Sequence, residues 1–298
     1  MGARWLNYHF EHFLKREDLV AIKAAGATHV RVPIPHWMLE EPRADEPWIA
    51  GDRWKYFVRM AKWCREIGLE VWPDLHTAPG NQNGFDNCGQ FMAIPTCDGW
   101  AYNPENVKRT VKVVSDIAHA IKRYGIDDVV TGFGLLNEPF RGCNQQVRKN
   151  ERNHFNRSSF SIAGGRNEFL KSFAFVVEIC VVVCNSHACL SVELMNQSHY
   201  YLLLQVIRRY YEDGLQAVRN VLGKKMAIYL GDVFEADKFN NGFWQDSSKY
   251  ENTFLDSHYY HVFAEHPRSL SPRGHIAFGT LPKCEQQAVS FVQFQFLV

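Results

Sequence analysis

Short apolar runs alternate with amphipathic segments along much of this chain. Residues 17–25 predict a helix that Gly26 closes, and the apolar run 28–34 that follows predicts a buried strand. The same order of helix, glycine and strand recurs three more times, and a last strand is predicted after these. The later helices are predicted at 52–68, 103–125 and 207–222, and the later strands at 69–76, 131–137, 225–232 and 254–260.

This alternation of helices and strands determines the predicted fold class. Buried strands separated by helices are typical of parallel sheets, which form either a closed barrel or a doubly wound open sheet. A doubly wound nucleotide-binding sheet would carry a glycine-rich phosphate loop after a strand, and none follows any predicted strand here. The sequence therefore predicts an α/β fold of the (β/α)8 TIM-barrel type.

Polar side chains collect where the predicted strands end. They are Arg31, His76, Asn137, Glu138, His258 and Tyr260. The carboxyl ends of the strands of a barrel form one face, and the active sites of barrel enzymes lie on that face. These side chains are therefore the candidate functional residues. Glu138 follows a buried strand in the string Leu135-Leu-Asn-Glu-Pro139, which suits a general acid, although Glu-Pro also occurs in ordinary turns.

Composition and charge exclude several other classes of function. Of the 298 residues 46% are hydrophobic and 22% charged, and a formal net charge of +1 gives no reason to expect nucleic acid or an anionic membrane as partner. None of the eight cysteines lies in a CxxC pair or in another spacing that would support zinc, so we expect no metal. No apolar run has the length of a transmembrane helix, and the N-terminus does not resemble a signal peptide.

Four motifs carry a family resemblance. They are Val30-Arg-Val-Pro-Ile34, the long run Asp74-Leu-His-Thr-Ala-Pro-Gly-Asn-Gln-Asn-Gly-Phe-Asp-Asn-Cys-Gly89, Leu135-Leu-Asn-Glu-Pro139 and Leu255-Asp-Ser-His-Tyr-Tyr-His-Val-Phe263. In this order they closely resemble the exo-β-1,3-glucanases of fungi and oomycetes, a branch of glycoside hydrolase family 5. The resemblance covers about residues 3–140 and 206–278. It implies retaining exo-cleavage of β-1,3-glucan to glucose by a secreted or wall-associated monomer without a cofactor.

The resemblance also implies roles for the catalytic residues. Glu138 would be the proton donor, and Asn137 beside it would hold the sugar 2-hydroxyl, although an asparagine here is most simply a turn residue. Retaining glycosidases need a second carboxyl group as nucleophile about 5–5.5 Å from the first. Arg31 would orient or electrostatically support that nucleophile. The alternative for Arg31, compatible with this role, is a structural salt bridge at the barrel mouth.

The remaining matched residues would bind substrate. His76 and His258 match histidines that contact sugar hydroxyls; the alternative for each is a histidine buried in the core. Tyr260 matches a tyrosine that supports the nucleophile, and its alternative is a role in packing alone. Phe85 and Phe263 match an aromatic clamp at the pocket entrance; each alone would be read as core. Asp86 and Asn87 resemble the residues that hold the terminal glucose and block longer chains. The implied substrate is therefore a β-glucan polysaccharide or oligosaccharide, with β-1,3 or β-1,6 preference left open.

The chain also departs from the family pattern. The family's first strand is not matched, residues 141–205 match nothing in the family and resemble translated non-coding sequence, and the tail 279–298 diverges. The sequence thus predicts a barrel truncated at both ends, in two parts, 1–140 and 206–278, with 141–205 as an unmatched insertion outside the barrel.

The family's Gly-Glu-Trp motif, which holds the nucleophile, does not occur in the sequence, and Glu285 has a different context. We therefore expect this chain to be inactive for want of the nucleophile. Two alternatives stay open: a non-catalytic glucan-binding remnant, and a defective gene model whose product does not fold.

Overall fold

The computed structural model describes residues 2–49, 51–90, 97–140, 188–234 and 249–258. Within these ranges the helices are α1 (Gly2–His12), α2 (Arg16–Ala24), α3 (Trp54–Ile67), α4 (Asp98–Ala101), α5 (Pro104–Arg123) and α6 (Ala188–Leu222). The strands are β1 (His29–Ile34), β2 (Glu70–Leu75), β3 (Gly132–Gly134), β4 (Ala227–Gly231) and β5 (Thr253–Asp256). A 3₁₀ helix covers Asp86–Cys88.

The five described strands form one parallel sheet in the order β1-β2-β3-β4-β5. The spatial order equals the order along the chain, so there is no reversal point of the kind that divides a doubly wound sheet. Parallel strands added one after another, each joined by a helix, are the pattern of a (β/α)8 barrel. The predicted barrel-type α/β fold is confirmed.

The end of α3 and the start of α5 follow signals in the local sequence. Gly68 ends α3 with a φ of 78°, a left-handed conformation that glycine adopts without a steric penalty. At the start of α5 the side chain of Asn103 accepts hydrogen bonds from the backbone N–H groups of Glu105 and Asn106, and Pro104 occupies the first turn. These signals fix the register in which each helix meets the sheet.

The core lies between the sheet and the helices. Val71, Leu75 and Phe133 of the strands are completely buried, as are Ile117 and Ile121 of α5. Helix α6 packs against α5 and adds its own buried stripe, which consists of Leu203, Leu204, Ile207, Tyr210, Tyr211, Leu215 and Val218. The hydroxyl of Tyr210 donates to the carbonyl of Leu135 at 2.6 Å, so this helix also fixes the segment that leads to Glu138.

Three features differ from the sequence-based expectations. Helix α1 was not predicted, because its aromatic residues have no buried stripe and Trp5 and Tyr8 are mainly exposed. Strand β3 is shorter than predicted, because regular pairing ends at Gly134. Helix α6 begins at Ala188, ahead of the predicted helix start at 207, and Leu203 and Leu204 within it are buried. Residues 141–187 and 259–298 lie outside the described residues.

A buried ion cluster holds the loop that follows β1. The guanidinium of Arg109 on α5 bonds to Glu40 at 2.7 Å and to both carboxylate oxygens of Glu46. The hydrogen bonds from Arg109 lower the pKa of Glu46 to about 2. On either side of these two glutamates in the chain, Trp37 and Trp48 stack with ring centroids 3.8 Å apart. The loop is therefore fixed against the helix layer beside the carboxyl end of the sheet.

None of the helices in the described ranges is long and apolar enough to cross a lipid bilayer.

We expect Gly134→Ala to destabilise the protein. A Cβ at this position would lie 2.4 Å from Oδ1 of Asp74 and 3.3 Å from the Asp74 Cα, so the buried carboxylate or the backbone would have to move. Overpacking of this kind costs about 1–3 kcal/mol. Urea unfolding of the two proteins measures the difference.

Gly51→Ala is the matched control, because its Cβ would meet only Asn7 Oδ1 at 3.6 Å. This control should change the free energy of unfolding by less than about 0.5 kcal/mol. Equal stability of the Gly134→Ala and Gly51→Ala variants would contradict the packing around Asp74.

Candidate active site

Glu138 is presented by an unusual backbone conformation just after β3. Its φ is 44°, in the left-handed region that non-glycine residues adopt at a cost of about 1–3 kcal/mol. On a regular strand the neighbouring residues Asn137 and Glu138 would point to opposite faces of the sheet. The left-handed conformation of Glu138 breaks this alternation. The side chains of both Asn137 and Glu138 therefore contact residues at the carboxyl end of the sheet.

The carboxylate of Glu138 is buried and held at both oxygens. His258 Nδ1 lies 2.6 Å from Oε1, and Asn87 donates its Nδ2–H to Oε2 at 3.2 Å. Only 8% of Glu138 is exposed to solvent. Asn87 in the loop after β2 and His258 after β5 thus fix the rotamer of Glu138, and all three residues were predicted from the sequence.

Arg31 on β1 connects three other strand ends. Its Nη2 donates to Asn137 Oδ1 at 2.7 Å, forms a salt bridge with Asp74 Oδ2 at 3.0 Å, and lies 3.9 Å from Asp256 Oδ2. Burial would raise the pKa of Asp74, but the charge of Arg31 and the hydrogen bond with His76 lower it below its ordinary value. Asp74 is therefore an ionised partner of Arg31, so the salt bridge left open from the sequence is present.

His76 and His258 each pair with an aspartate two residues earlier on the same strand. His76 uses Nδ1 to reach Asp74 Oδ2 at 2.9 Å, whereas His258 uses Nε2 to reach Asp256 Oδ2 at 3.2 Å. Burial would lower the pKa of His258, but its hydrogen bonds with Asp256 and Glu138 outweigh that effect and raise the pKa to about 10. His258 therefore carries a positive charge at neutral pH.

Gln82 ties the loop after β2 to the end of β3. Its side chain is completely buried, and its Nε2 donates to the backbone carbonyls of His76 and Asn137, each at 2.9 Å. Its Oε1 accepts from the N–H of Ala78 at 2.9 Å. All three polar contacts of this amide are made inside the protein, so the two strand ends have a fixed separation.

The loop that carries Asn87 is organised by asparagine side chains. Asn81 Oδ1 accepts from the backbone N–H groups of Asn83 and Gly84, and Asn83 Oδ1 accepts from that of Phe85. The next turn is the 3₁₀ helix, in which Asp86 is exposed and Asn87 reaches Glu138. Asp86 is thus near the predicted site in sequence and accessible to a ligand.

Phe85 belongs to a row of half-buried aromatic rings. Its ring lies 5.2 Å from that of Phe140, which in turn lies 5.7 Å from Phe234 in an edge-to-face arrangement. These three rings follow the ends of β2, β3 and β4. The predicted partner of Phe85, Phe263, lies outside the described residues, and so does Tyr260.

Sequence reasoning missed Asp74, Asp256 and Gln82. Both aspartates were available as a signal, because the spacing Asp-x-His occurs at 74–76 and again at 256–258, and residues two apart on a strand share a face. Gln82 has no such pattern, since a buried amide between two loops is a tertiary contact.

A metal centre has no support in the part of the chain that the structure describes. No group of three or more His, Cys, Asp or Glu side chains there has the spacing to hold a metal ion. The cysteines at 64, 88 and 97 are buried, and burial raises the pKa of the Cys64 and Cys88 thiols to about 12. Neither thiol is suited to act as a nucleophile or a metal ligand.

Comparisons with known proteins support the family resemblance that the sequence motifs indicate. No protein-family model matches the chain. A glucan 1,3-beta-glucosidase of Blumeria graminis is 28% identical over 272 residues, which cover 91% of this chain and 47% of that protein. A glucan 1,3-beta-glucosidase of Pichia angusta is 37% identical over 134 residues, 45% of this chain and 29% of that protein. The chain thus spans about half, or less, of the length of these curated relatives.

Among solved structures, a rutinosidase from Aspergillus niger superimposes with a TM-score of 0.60 at 14% sequence identity, covering 87% of this chain and 58% of that one. Identity this low shows a common fold and nothing further. Together, the relatives in sequence and the parallel sheet support the resemblance drawn from the four motifs. Over most of its length the chain is similar to glucan 1,3-β-glucosidases, in keeping with the resemblance to the exo-1,3-glucanase type of glycoside hydrolase family 5.

Proposed function

We propose that these strand ends form the acid/base and sugar-binding part of a retaining glycosidase site for β-1,3-glucan, with Glu138 as the proton donor. The observation that carries the proposal is the left-handed, buried presentation of Glu138 between His258 and Asn87. A strained backbone that directs one carboxyl group into a polar network is typical of functional sites. A solvated surface glutamate would need none of these contacts.

The neighbours of Glu138 supply donors suited to a sugar. Arg31 occupies Oδ1 of Asn137, which orients the amide so that its Nδ2–H groups are the ones available to a hydroxyl. His76 is bound to Asp74 through Nδ1, which leaves Nε2 as its contact with a substrate. Hydrogen bonds to the 2-hydroxyl that strengthen in the transition state contribute several kcal/mol in glycosidases.

Exo-cleavage and cellular location are the finer parts of this proposal. Asp86 and Asn87 would hold the terminal glucose and close the pocket behind it, so that glucose is released from the chain end. Phe85 would stack on the apolar face of a sugar ring. The relatives are glucan glucosidases of fungi, and we propose an extracellular or cell-wall location and a monomeric state for this protein.

A glucan-binding role without turnover is the second candidate. It is favoured by the contacts of Asn137 and His76, whose Nδ2–H groups and Nε2 would bind sugar hydroxyls without any bond being broken. Retention requires two carboxyl groups, and the removal of one member of a catalytic unit lowers rates by several orders of magnitude.

We expect the 298-residue chain to release little or no glucose from laminarin, a β-1,3-glucan, because a proton donor alone does not form the glycosyl-enzyme intermediate. Glucose release is measured for the purified chain, for Glu138→Gln and for an active fungal glucan 1,3-β-glucosidase as positive control. Clear turnover by the chain that Glu138→Gln abolishes would prove this prediction wrong. Another carboxyl group would then serve as nucleophile.

We expect the chain to bind laminari-oligosaccharides, and His76→Ala to weaken binding about tenfold. The loss of one hydrogen bond to a sugar hydroxyl costs about 1.4 kcal/mol, which is a factor of ten in Kd. Isothermal titration calorimetry with laminaritriose measures both proteins. His119→Ala is the control, because His119 is exposed on α5 and should leave Kd unchanged. Equal Kd values for the His76→Ala and His119→Ala variants, or no binding by the wild-type chain, would contradict the site.

A further inference from the structure

His258 is the only residue of the described site whose two ring nitrogens both face carboxylate oxygens. Nδ1 lies 2.6 Å from Glu138 Oε1, and Nε2 lies 3.2 Å from Asp256 Oδ2. An ionised carboxylate can only accept hydrogen bonds, so each nitrogen must supply a proton to its contact. The His258 side chain is 9% exposed, and that of Glu138 is 7% exposed, so water has little access to the shorter contact.

The Asp-x-His pair at 74–76 has the same spacing as the pair at 256–258, but its histidine ring has a different orientation. His76 turns Nδ1 toward Asp74, and the Asp74 carboxylate is shared with Arg31. His258 is turned the other way, with Nε2 on Asp256, and its Nδ1 is thereby directed to Glu138. The same local spacing thus gives two ring orientations, and only the second one connects a histidine to the proton donor.

We propose that Asp256 is a positioning residue for the acid/base group: by accepting the Nε2–H of His258, it keeps Nδ1 facing Glu138 and keeps one shared proton between these two atoms. The inference rests on the proposed role of Glu138. Asp256 itself is not a catalytic residue, because its contact with Glu138 runs through the histidine. The ring orientation, the short contact and the burial of both groups carry the argument.

Two arrangements of the shared proton have the same total number of protons. In the first, His258 is an imidazolium and Glu138 is ionised. In the second, the proton has moved from Nδ1 to Oε1, so that His258 is neutral and Glu138 is a carboxylic acid. Asp256 accepts the Nε2–H in both. Glu138 can therefore act as an acid without drawing a proton from solvent; once it has given that proton away, Glu138 is ionised beside a neutral His258 until a proton returns to the pair.

The surrounding charges favour retention of this proton. The groups that face His258 from the described elements are Asp74 on β2, Glu138 after β3, Asp232 after β4 and Asp256 on β5, and Arg31 on β1 lies 3.9 Å from Asp256. Two carboxyl groups thus contact the ring, two more act on it electrostatically, and one guanidinium opposes its charge. Asp232 is itself buried, and burial raises its pKa.

The test is the protonation of His258 in the free protein, followed by long-range ¹H–¹⁵N NMR between pH 5 and 10. Its signals are identified by their loss in His258→Gln. In the wild-type chain we expect a charged ring, or a neutral ring with hydrogen on Nε2, throughout the neutral range. Asp256→Asn keeps the shape but removes the charge, and it should lower the titration midpoint of His258 by about one to three pH units. Asp256→Glu should restore much of the difference.

Asp52→Asn is the matched control, since Asp52 is an exposed carboxylate paired only with Lys55 among the described residues. It should leave the His258 midpoint unchanged. Equal midpoints for wild type and a folded Asp256→Asn protein would overturn the proposal. If Asp256→Asn does not fold, the wild type decides: a neutral ring with hydrogen on Nδ1 at pH 7, or a midpoint near 6.5, would also overturn it. The measurement needs no substrate, so a failure of the glucan experiments does not affect it.

Discussion

The guanidinium of Arg31 is the interaction on which the carboxyl end of this sheet depends. One nitrogen of this side chain contacts Asn137 and Asp74 directly and lies close to Asp256, so that β1 is joined to the ends of β2, β3 and β5. A mostly buried cation is stable only with such partners, and removal of one partner from a buried pair costs about 3–5 kcal/mol. Gly134 leaves the space that the Asp74 carboxylate occupies. The charge of Arg31 and the space beside Gly134 therefore hold the Asp74 carboxylate in the same position.

The network built on Arg31 also explains how a glutamate can be prepared for proton transfer. The carboxyl groups of Asp74, Asp256 and Glu138 face two cationic side chains, Arg31 and His258. With all three ionised, the cluster carries one more negative than positive charge. Such a site retains the proton already counted on His258, and in the proposed function its remaining negative charge would favour a sugar with oxocarbenium character. The left-handed backbone at Glu138 is the local strain that this placement requires.

Most of the fold could be predicted from the sequence because its signals are local. Apolar periodicity, the cap at Asn103 and the glycine at 68 define elements within a few residues, and the structure has those elements. Helix α1 has no buried stripe, and the start of α6 at Ala188 lies in a stretch without regular periodicity, so the sequence predicted neither.

The candidate site was predicted less completely than the fold. Strand ends and motif resemblance identified Arg31, His76 and Glu138, but not the backbone conformation that presents Glu138. The left-handed conformation and the double contact of Gln82 depend on tertiary packing. The aspartates at 74 and 256 have a visible spacing from the histidines. Their pairing with Arg31 was missed because it joins different strands, which the sequence does not show.

The most direct test of the central claim is a crystal structure of this chain with a bound laminari-oligosaccharide. The account predicts a glycosidic oxygen within about 3 Å of a Glu138 carboxylate oxygen. It also predicts a sugar hydroxyl on the Asn137 amide, with Arg31 still on Asp74. An oligosaccharide bound away from these strand ends, or a bound sugar with Glu138 directed away from it, would contradict the glycosidase origin of the site.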